Sequence, residues 1–179
     1  MIVSFGSYFI GGIQEKDAWP ICDFVVANED RLKRFFPQTL SQNLTPTLAK
    51  SFVEKKVKQF LANEEFVFLI KEKKSLNLVG IIYIKELDWN IKQGEFAYCI
   101  GYQFEGKGLT TNAVKLLSKY AFDTLGLKTL QIIVNKENTA SIKVATHNNF
   151  TWKKTLLKEY TPPGESPLDM ELYELHYER

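Results

Sequence analysis

Two glycines stand directly before the strongest helical pattern of the chain, in the run 102–111 (YQFEGKGLTT). The first amides of an α-helix have no acceptor within the helix, and the helix dipole favours negative charge at that end. Glycine has no Cβ, so the backbone at Gly106 and Gly108 can approach a ligand closely. The pattern predicts a site for a pyrophosphate group, although two glycines before a helix also occur in plain turns.

Two other glycine-rich phosphate loops fit this run less well. A dinucleotide fingerprint needs a third glycine where Thr111 stands, and no ribose-binding acid follows at the expected distance. A Walker loop is excluded, because Gly106-Lys107 is followed by Gly108 and not by a serine or threonine.

The hydrophobic pattern places the run between a strand and a helix. Helices are predicted over 17–28, from Thr45-Pro46 onward, over 107–125 and over 138–148. Leu48, Phe52, Val53, Val57, Phe60 and Leu61 share one face of the second helix. Strands are predicted over 8–14, 65–71, 78–84, 95–100, 129–134, 150–157 and 170–177. This order indicates a mixed α/β fold with a mostly antiparallel sheet of about seven strands and helices on both faces.

Several motifs in order resemble the GNAT superfamily of N-acetyltransferases, in its RimJ/RimL branch. The pyrophosphate signature of the superfamily is matched by Gln103-x-x-Gly106-x-Gly108. Further matches are the strand 95–100 (EFAYCI), the helix opening Asn135-x-x-Asn138-x-x-Ser141, the Asn148-Asn149-Phe150 turn and the final strand 168–173 (LDMELY). Departures from the branch pattern are Ala97 for glycine, Cys99 for tryptophan, Asn112 for glutamate and Asn149 for glycine.

The resemblance implies one domain over 1–179, with the central sheet splayed in its middle, and acetyl-CoA as co-substrate. It implies that backbone amides of the loop bind the diphosphate with help from two hydroxyls, and that main-chain groups of the splayed strand and an asparagine bind the pantetheine arm. The residues concerned are Gly106, Lys107, Gly108, Leu109, Thr110, Thr111, Cys99, Ile100 and Asn138. The asparagine also suits a plain helix N-cap.

Three side chains are catalytic candidates by the same resemblance. Ser141 would face the cofactor sulfur and protonate the thiolate, although serine is also tolerated in a first helical turn. Glu159 and Glu95 are candidates for the base that deprotonates the amine, directly or through water. Cys99 could suggest a covalent acetyl-cysteine route, but neither His147 nor His176 stands at an informative spacing, so direct transfer is preferred.

Composition adds exclusions and an expected location. The net charge of +2 gives no argument for nucleic acid or an anionic membrane as partner, and two isolated cysteines predict neither a disulfide framework nor a metal site. No signal-peptide pattern or long apolar run is present, so a cytoplasmic protein is expected. The resemblance implies a protein N-terminal amine as acceptor, for example that of a ribosomal protein, and homodimers through the last strands. A small-amine acetyltransferase and a weakly catalytic acyl-CoA-binding module remain alternatives.

Overall fold

A computed structural model describes residues 2–177; Met1, Glu178 and Arg179, which the expected domain includes, lie outside the described residues. The strands are β1 (Ile2–Phe5), β2 (Tyr8–Gly12), β3 (Phe66–Glu72), β4 (Leu78–Asp88), β5 (Gln93–Ile100), β6 (Thr129–Val134), β7 (Thr151–Tyr160) and β8 (Leu168–His176). The helices are α1 (Ala18–Ala27), α2 (Glu29–Leu32), α3 (Pro37–Ser41), α4 (Pro46–Leu61), α5 (Leu109–Asp123) and α6 (Thr139–His147).

The strands form one sheet in the order β1-β2-β3-β4-β5-β6-β8-β7. The β1/β2, β2/β3, β6/β8 and β7/β8 pairs are antiparallel, and β5 runs parallel to β6. The predicted mixed, mostly antiparallel sheet is therefore confirmed. The described chain has eight strands, one more than the seven predicted ranges, because β1 pairs with β2 at one edge.

The parallel pair β5/β6 is joined over only part of its length. Among the described residues, the register runs from Gln93 opposite Thr129 to Phe96 opposite Ile132, while β5 continues to Ile100 and β6 to Val134. This partial pairing agrees with the predicted splay of the sheet.

Contacts divide the chain into two compact units. The first contains the chain up to Tyr83 together with Tyr98–Lys107, and the second contains Ile84–Ala97 and the chain from Gly108 onward. In the first unit β3 is buried on both faces from Phe66 to Ile70, as its continuous apolar run predicts. Phe60 of α4 packs edge-on against Phe66 at a ring-centroid distance of 4.9 Å.

One helix face in the first unit differs from the prediction. Phe52 and Val53 of α4 are buried as expected, but Leu48 and Leu61 are 44% and 78% exposed. Ala49 is fully buried instead, so the face that packs is rotated toward the smaller residue. The helix begins as predicted, since the Thr45 hydroxyl accepts a hydrogen bond from the Leu48 amide.

The second unit is built around α5 and β6. Ala113, Val114, Leu117 and Ala121 of α5 are fully buried. Gly126 follows the helix at φ +74°, and the next amide, of Leu127, donates to the Ala121 carbonyl. None of the helices within residues 2–177 has the length and apolarity that a membrane crossing requires.

Candidate active site

The two signature glycines both have left-handed backbone. Gly106 has φ +70° and Gly108 has φ +69°, values at which a side chain would be strained. Gly108 occupies the N-cap position of α5 without a side-chain cap, and the first turn contains no acidic residue. The first bond inside the helix runs from the Asn112 amide to the Gly108 carbonyl at 3.0 Å. These features fit an anionic group, because nothing from the first turn neutralises or competes for the helix end.

Space beside these glycines is open. A Cβ built on Gly106 would meet no heavy atom within 4 Å, and one built on Gly108 would meet only Asn112 Nδ2, at 4.0 Å. Glycine is therefore retained at Gly108 for backbone conformation and not to relieve crowding by the protein itself. Of the other loop residues, Leu109 buries its side chain, whereas Thr110 and Thr111 are half-buried and Lys107 is exposed. The Lys107 ammonium lies 5.1 Å from the Phe104 ring centroid.

The start of the loop is held within the first unit by a residue that the sequence analysis missed. Asn28 is 7% exposed; its Oδ1 accepts a hydrogen bond from the Tyr102 amide at 3.0 Å, and its Nδ2 donates to the Phe24 carbonyl at 2.8 Å. Arg31 forms an ion pair with Glu105, which lowers the pKa of that carboxyl. The guanidinium offsets a negative charge that would oppose anion binding by the loop.

The strand residues proposed for the pantetheine arm lie close to β4, in the first unit. The Gly101 amide donates to the Val79 carbonyl at 2.8 Å. A Cβ built on Gly80 would lie 2.9 Å from the Cys99 carbonyl oxygen and 3.0 Å from Ile100 Cδ1. Gly80 is thus needed for this close approach of two strands. Burial raises the pKa of the Cys99 thiol to about 12, against smaller opposing effects of the Ile81 backbone and Arg31.

The helix opening in the second unit agrees with the prediction. Asn138 is the N-cap of α6, and its Oδ1 accepts from the Ser141 amide at 3.1 Å. Ser141 is half-buried in the first turn. At the other end of α6, buried Asn148 donates from Nδ2 to the Thr111 carbonyl of α5, at 3.1 Å. Asn149 follows at φ +62°, a conformation that asparagine accepts in place of glycine.

The two candidate bases share one electrostatic neighbourhood in the second unit. The side chain of Glu95 is 14% exposed and lies 3.1 Å from the Lys85 ammonium. Burial raises its pKa; Lys85 opposes the shift, and the charges of Glu86 and Glu159 add to it. Glu159 itself is exposed, in the irregular part of the β7/β8 pairing between Leu156 and Tyr160. A carboxylate with a raised pKa is the stronger proton acceptor, which favours Glu95.

No cluster of three or more histidine, cysteine or acidic side chains suited to a metal ion occurs among residues 2–177. Cys22 and Cys99 are both free thiols.

Residues 10–151 match the family model described as the acetyltransferase (GNAT) domain, so the chain belongs to this family. It is 33% identical over 86 residues to a spermidine N(1)-acetyltransferase of Escherichia coli (strain K12), a match that covers 48% of this chain and 46% of the relative. The chain thus spans about half the length of that curated relative.

Two solved structures show the same fold along nearly the whole chain. The ribosomal-protein-S5-alanine acetyltransferase of Vibrio fischeri superposes with a TM-score of 0.92 at 20% identity, covering 98% of this chain and 96% of the other. A RimL ribosomal-protein acetyltransferase in complex with coenzyme A superposes with a TM-score of 0.87 at 17% identity, covering 98% of both chains. The predicted membership of the GNAT superfamily and its fold are confirmed.

Proposed function

We propose that this chain is an acetyl-CoA-dependent N-acetyltransferase that acetylates a primary amine, in particular the N-terminal amine of a protein. The observation that carries the proposal is the open, uncapped start of α5 behind two left-handed glycines, within a GNAT domain. The coenzyme A bound by the RimL structure of the same fold supports this choice of co-substrate.

The amides of Leu109, Thr110 and Thr111 would bind the diphosphate, since three to four amides at a helix start lack acceptors within the helix. Gly106, Lys107 and Gly108 would supply further main-chain contacts, and the hydroxyls of the two threonines would assist. Main-chain groups of Cys99 and Ile100 would pair with the pantetheine arm, and Asn138 would contact it. Acetyl-CoA supplies the activated acyl group as a thioester.

Three tasks remain for side chains and backbone. Glu95, or Glu159 through water, takes a proton from the amine, which then attacks the acyl carbon. An amide near Cys99 donates to the oxygen that becomes negatively charged. As the new carbon–nitrogen bond forms and the carbon–sulfur bond breaks, Ser141 donates its proton to the departing thiolate and takes up, directly or through water, the proton that the nitrogen loses. The products are the amide, the free thiol and a neutral serine. The base has less to do for a protein N-terminus, with a pKa of about 8, than for a lysine, at about 10.4.

Polyamines form the second acceptor class, because the relative with 33% identity over 86 residues is a spermidine acetyltransferase. We retain a protein N-terminus as the first choice, because its amine has the lower pKa and asks less of the base. A single domain over 1–179, a cytoplasmic location and pairing with a second copy also stay predictions of this proposal.

The cofactor site is tested with substitutions at the two ends of one helix. Gly108 precedes α5 and Gly126 follows it, and both have left-handed backbone. Aspartate tolerates this conformation better than most residues. Gly108→Asp places a carboxylate where the diphosphate binds, so we expect at least about a tenfold loss of acetyl-CoA affinity by calorimetry. Gly126→Asp, at the far end, should bind like wild type. Equal affinities for both variants and wild type would refute the phosphate site.

The acceptor is tested by thiol release from acetyl-CoA with N-terminal peptides, lysine-containing peptides blocked at their N-termini, and spermidine as separate substrates. We expect the highest kcat/KM with free N-termini. Preference for spermidine would favour the polyamine alternative. Tight acetyl-CoA binding without turnover of any amine would instead favour a weakly catalytic binding module.

A further inference from the structure

Helices α5 and α6 of the second unit are joined by one buried side chain. Asn148, the C-cap residue of α6, is 7% exposed. Its Nδ2 donates to the Val144 carbonyl of its own helix at 2.9 Å and to the Thr111 carbonyl of α5 at 3.1 Å. The two hydrogens of the Asn148 side-chain amide therefore bond to two different helices. The bond to the Thr111 carbonyl ends in the first turn of α5.

This bond connects the two groups of residues on which the proposed reaction depends. The first turn of α5 contains the amides proposed to bind the diphosphate. The N-terminal turn of α6 contains Ser141, the proposed proton donor to the thiolate. A helix of this length transmits an orientation set at its C-terminus to its N-terminus as a nearly rigid rod. Fixing Asn148 against Thr111 thus fixes where Ser141 lies relative to the phosphate-binding turn.

We propose that Asn148 is a positioning residue that aligns Ser141 with the sulfur of a cofactor held through its diphosphate. The inference rests on the proposed function. Alignment of Ser141 relative to α5 affects the reaction only when the first turn of α5 binds the phosphates of the cofactor. Loss of the Asn148–Thr111 bond should therefore slow transfer from acetyl-CoA much more than transfer from S-acetylpantetheine, which has no diphosphate.

Two substitutions separate the two bonds of Asn148. In Asn148→Ser the hydroxyl can still donate to the Val144 carbonyl, four residues earlier, but is too short to reach Thr111. Asn148→Ala removes both bonds. Thr146→Ala is the matched control, because the Thr146 hydroxyl donates to the Ile142 and Lys143 carbonyls, both inside α6. Melting temperatures of all variants establish that each is folded at the assay temperature.

The measurement is kcat and KM with each thioester at a saturating amine. For both Asn148 variants we expect kcat with acetyl-CoA to fall about five- to tenfold, with a smaller change in KM. Rates with S-acetylpantetheine should change less than about twofold, and Thr146→Ala should resemble wild type with both thioesters.

Equal losses with both thioesters would assign Asn148 a merely structural role and overturn the inference, as would wild-type kinetics in both variants. A wild-type protein that neither binds nor uses acetyl-CoA would overturn the proposed function itself. The two failures are therefore distinguishable by the wild-type measurement.

Discussion

At the residue scale, Cys99 is poorly suited to carry an acetyl group. Burial raises the pKa of its thiol to about 12, so the thiol stays protonated at neutral pH, and the thiolate is the nucleophilic form. We predict that Cys99→Ala keeps turnover within about threefold of wild type. Double-reciprocal plots of initial velocity, at several fixed amine concentrations, should give intersecting lines, as a ternary complex requires. Parallel lines, together with loss of turnover but not of cofactor binding in the variant, would support an acetyl-cysteine intermediate.

The raised pKa of Glu95 predicts the pH dependence of the reaction. Below its pKa the carboxyl is protonated and cannot accept a proton, so kcat/KM should fall as pH falls through the raised pKa of Glu95. Glu95→Gln should lower kcat/KM at neutral pH and remove this acidic limb.

The matched variant for this profile is Glu159→Gln. The charge of Glu159 helps to raise the pKa of Glu95. Removing that charge should therefore shift the acidic fall of kcat/KM to lower pH without abolishing it. If the limb disappeared in Glu159→Gln and persisted in Glu95→Gln, the assignment of the base would be reversed.

Residue types alone predicted the features that depend on local backbone. Asparagine before a helix predicted the Asn138 cap. Gly106 and Gly108 were predicted to let the backbone approach a ligand, and the structure adds that both have left-handed backbone. The partners of Asn28 and Lys85 could not be predicted this way. Asn28 contacts a residue 74 positions away, and Lys85 meets Glu95 through strand pairing, so both depend on tertiary structure.

At the element scale, Gly80 of β4 controls the position of the strand proposed for the pantetheine arm. A Cβ there would lie 2.9 Å from the backbone oxygen of Cys99, which can move only with its strand. We predict that Gly80→Ala raises KM for acetyl-CoA about tenfold, besides costing about 1–3 kcal/mol of stability through overpacking.

Gly94→Ala is the control for this substitution. Gly94 is also a crowded strand glycine, but the three atoms nearest to its Cβ would be side-chain atoms, of Leu87, Ile84 and Leu127. Side chains can shift by changes of rotamer, so stability should fall while KM stays near that of wild type. A similar KM in the two variants would show that Gly80 does not position the strand for cofactor binding.

Elements with strong local signals were predicted well from the sequence. Strand β6 has the predicted bounds, and α6 begins after its predicted cap. Strand β1 was missed because four residues give too short a pattern, and only its pairing with β2 makes it a strand. The buried face of α4 was predicted incompletely because the packing partner, and not the apolar spacing alone, decides whether Leu48 or Ala49 is buried.

At the scale of the whole molecule, the two compact units are not separated by a linker. Two of the three unit boundaries fall inside strands, between Tyr83 and Ile84 in β4 and between Ala97 and Tyr98 in β5, and the third falls between Lys107 and Gly108, directly before α5. Independent domains usually meet at exposed, flexible segments that few contacts cross. Boundaries within two strands instead favour one folding unit. Each of the two strands has residues in both units, so unfolding of one unit disrupts a strand of the other.

We therefore predict one calorimetric unfolding transition, with equal calorimetric and van't Hoff enthalpies. Acetyl-CoA binds only the folded state, so at about one hundred times its Kd it should add about 2.7 kcal/mol and raise Tm by roughly 5–10 °C for a chain of this size. S-acetylpantetheine, which lacks the diphosphate, should raise Tm much less at the same concentration. Two transitions, of which acetyl-CoA raises only one, would show that the units fold independently. A single transition unaffected by acetyl-CoA would leave cooperative folding intact but contradict binding at the start of α5.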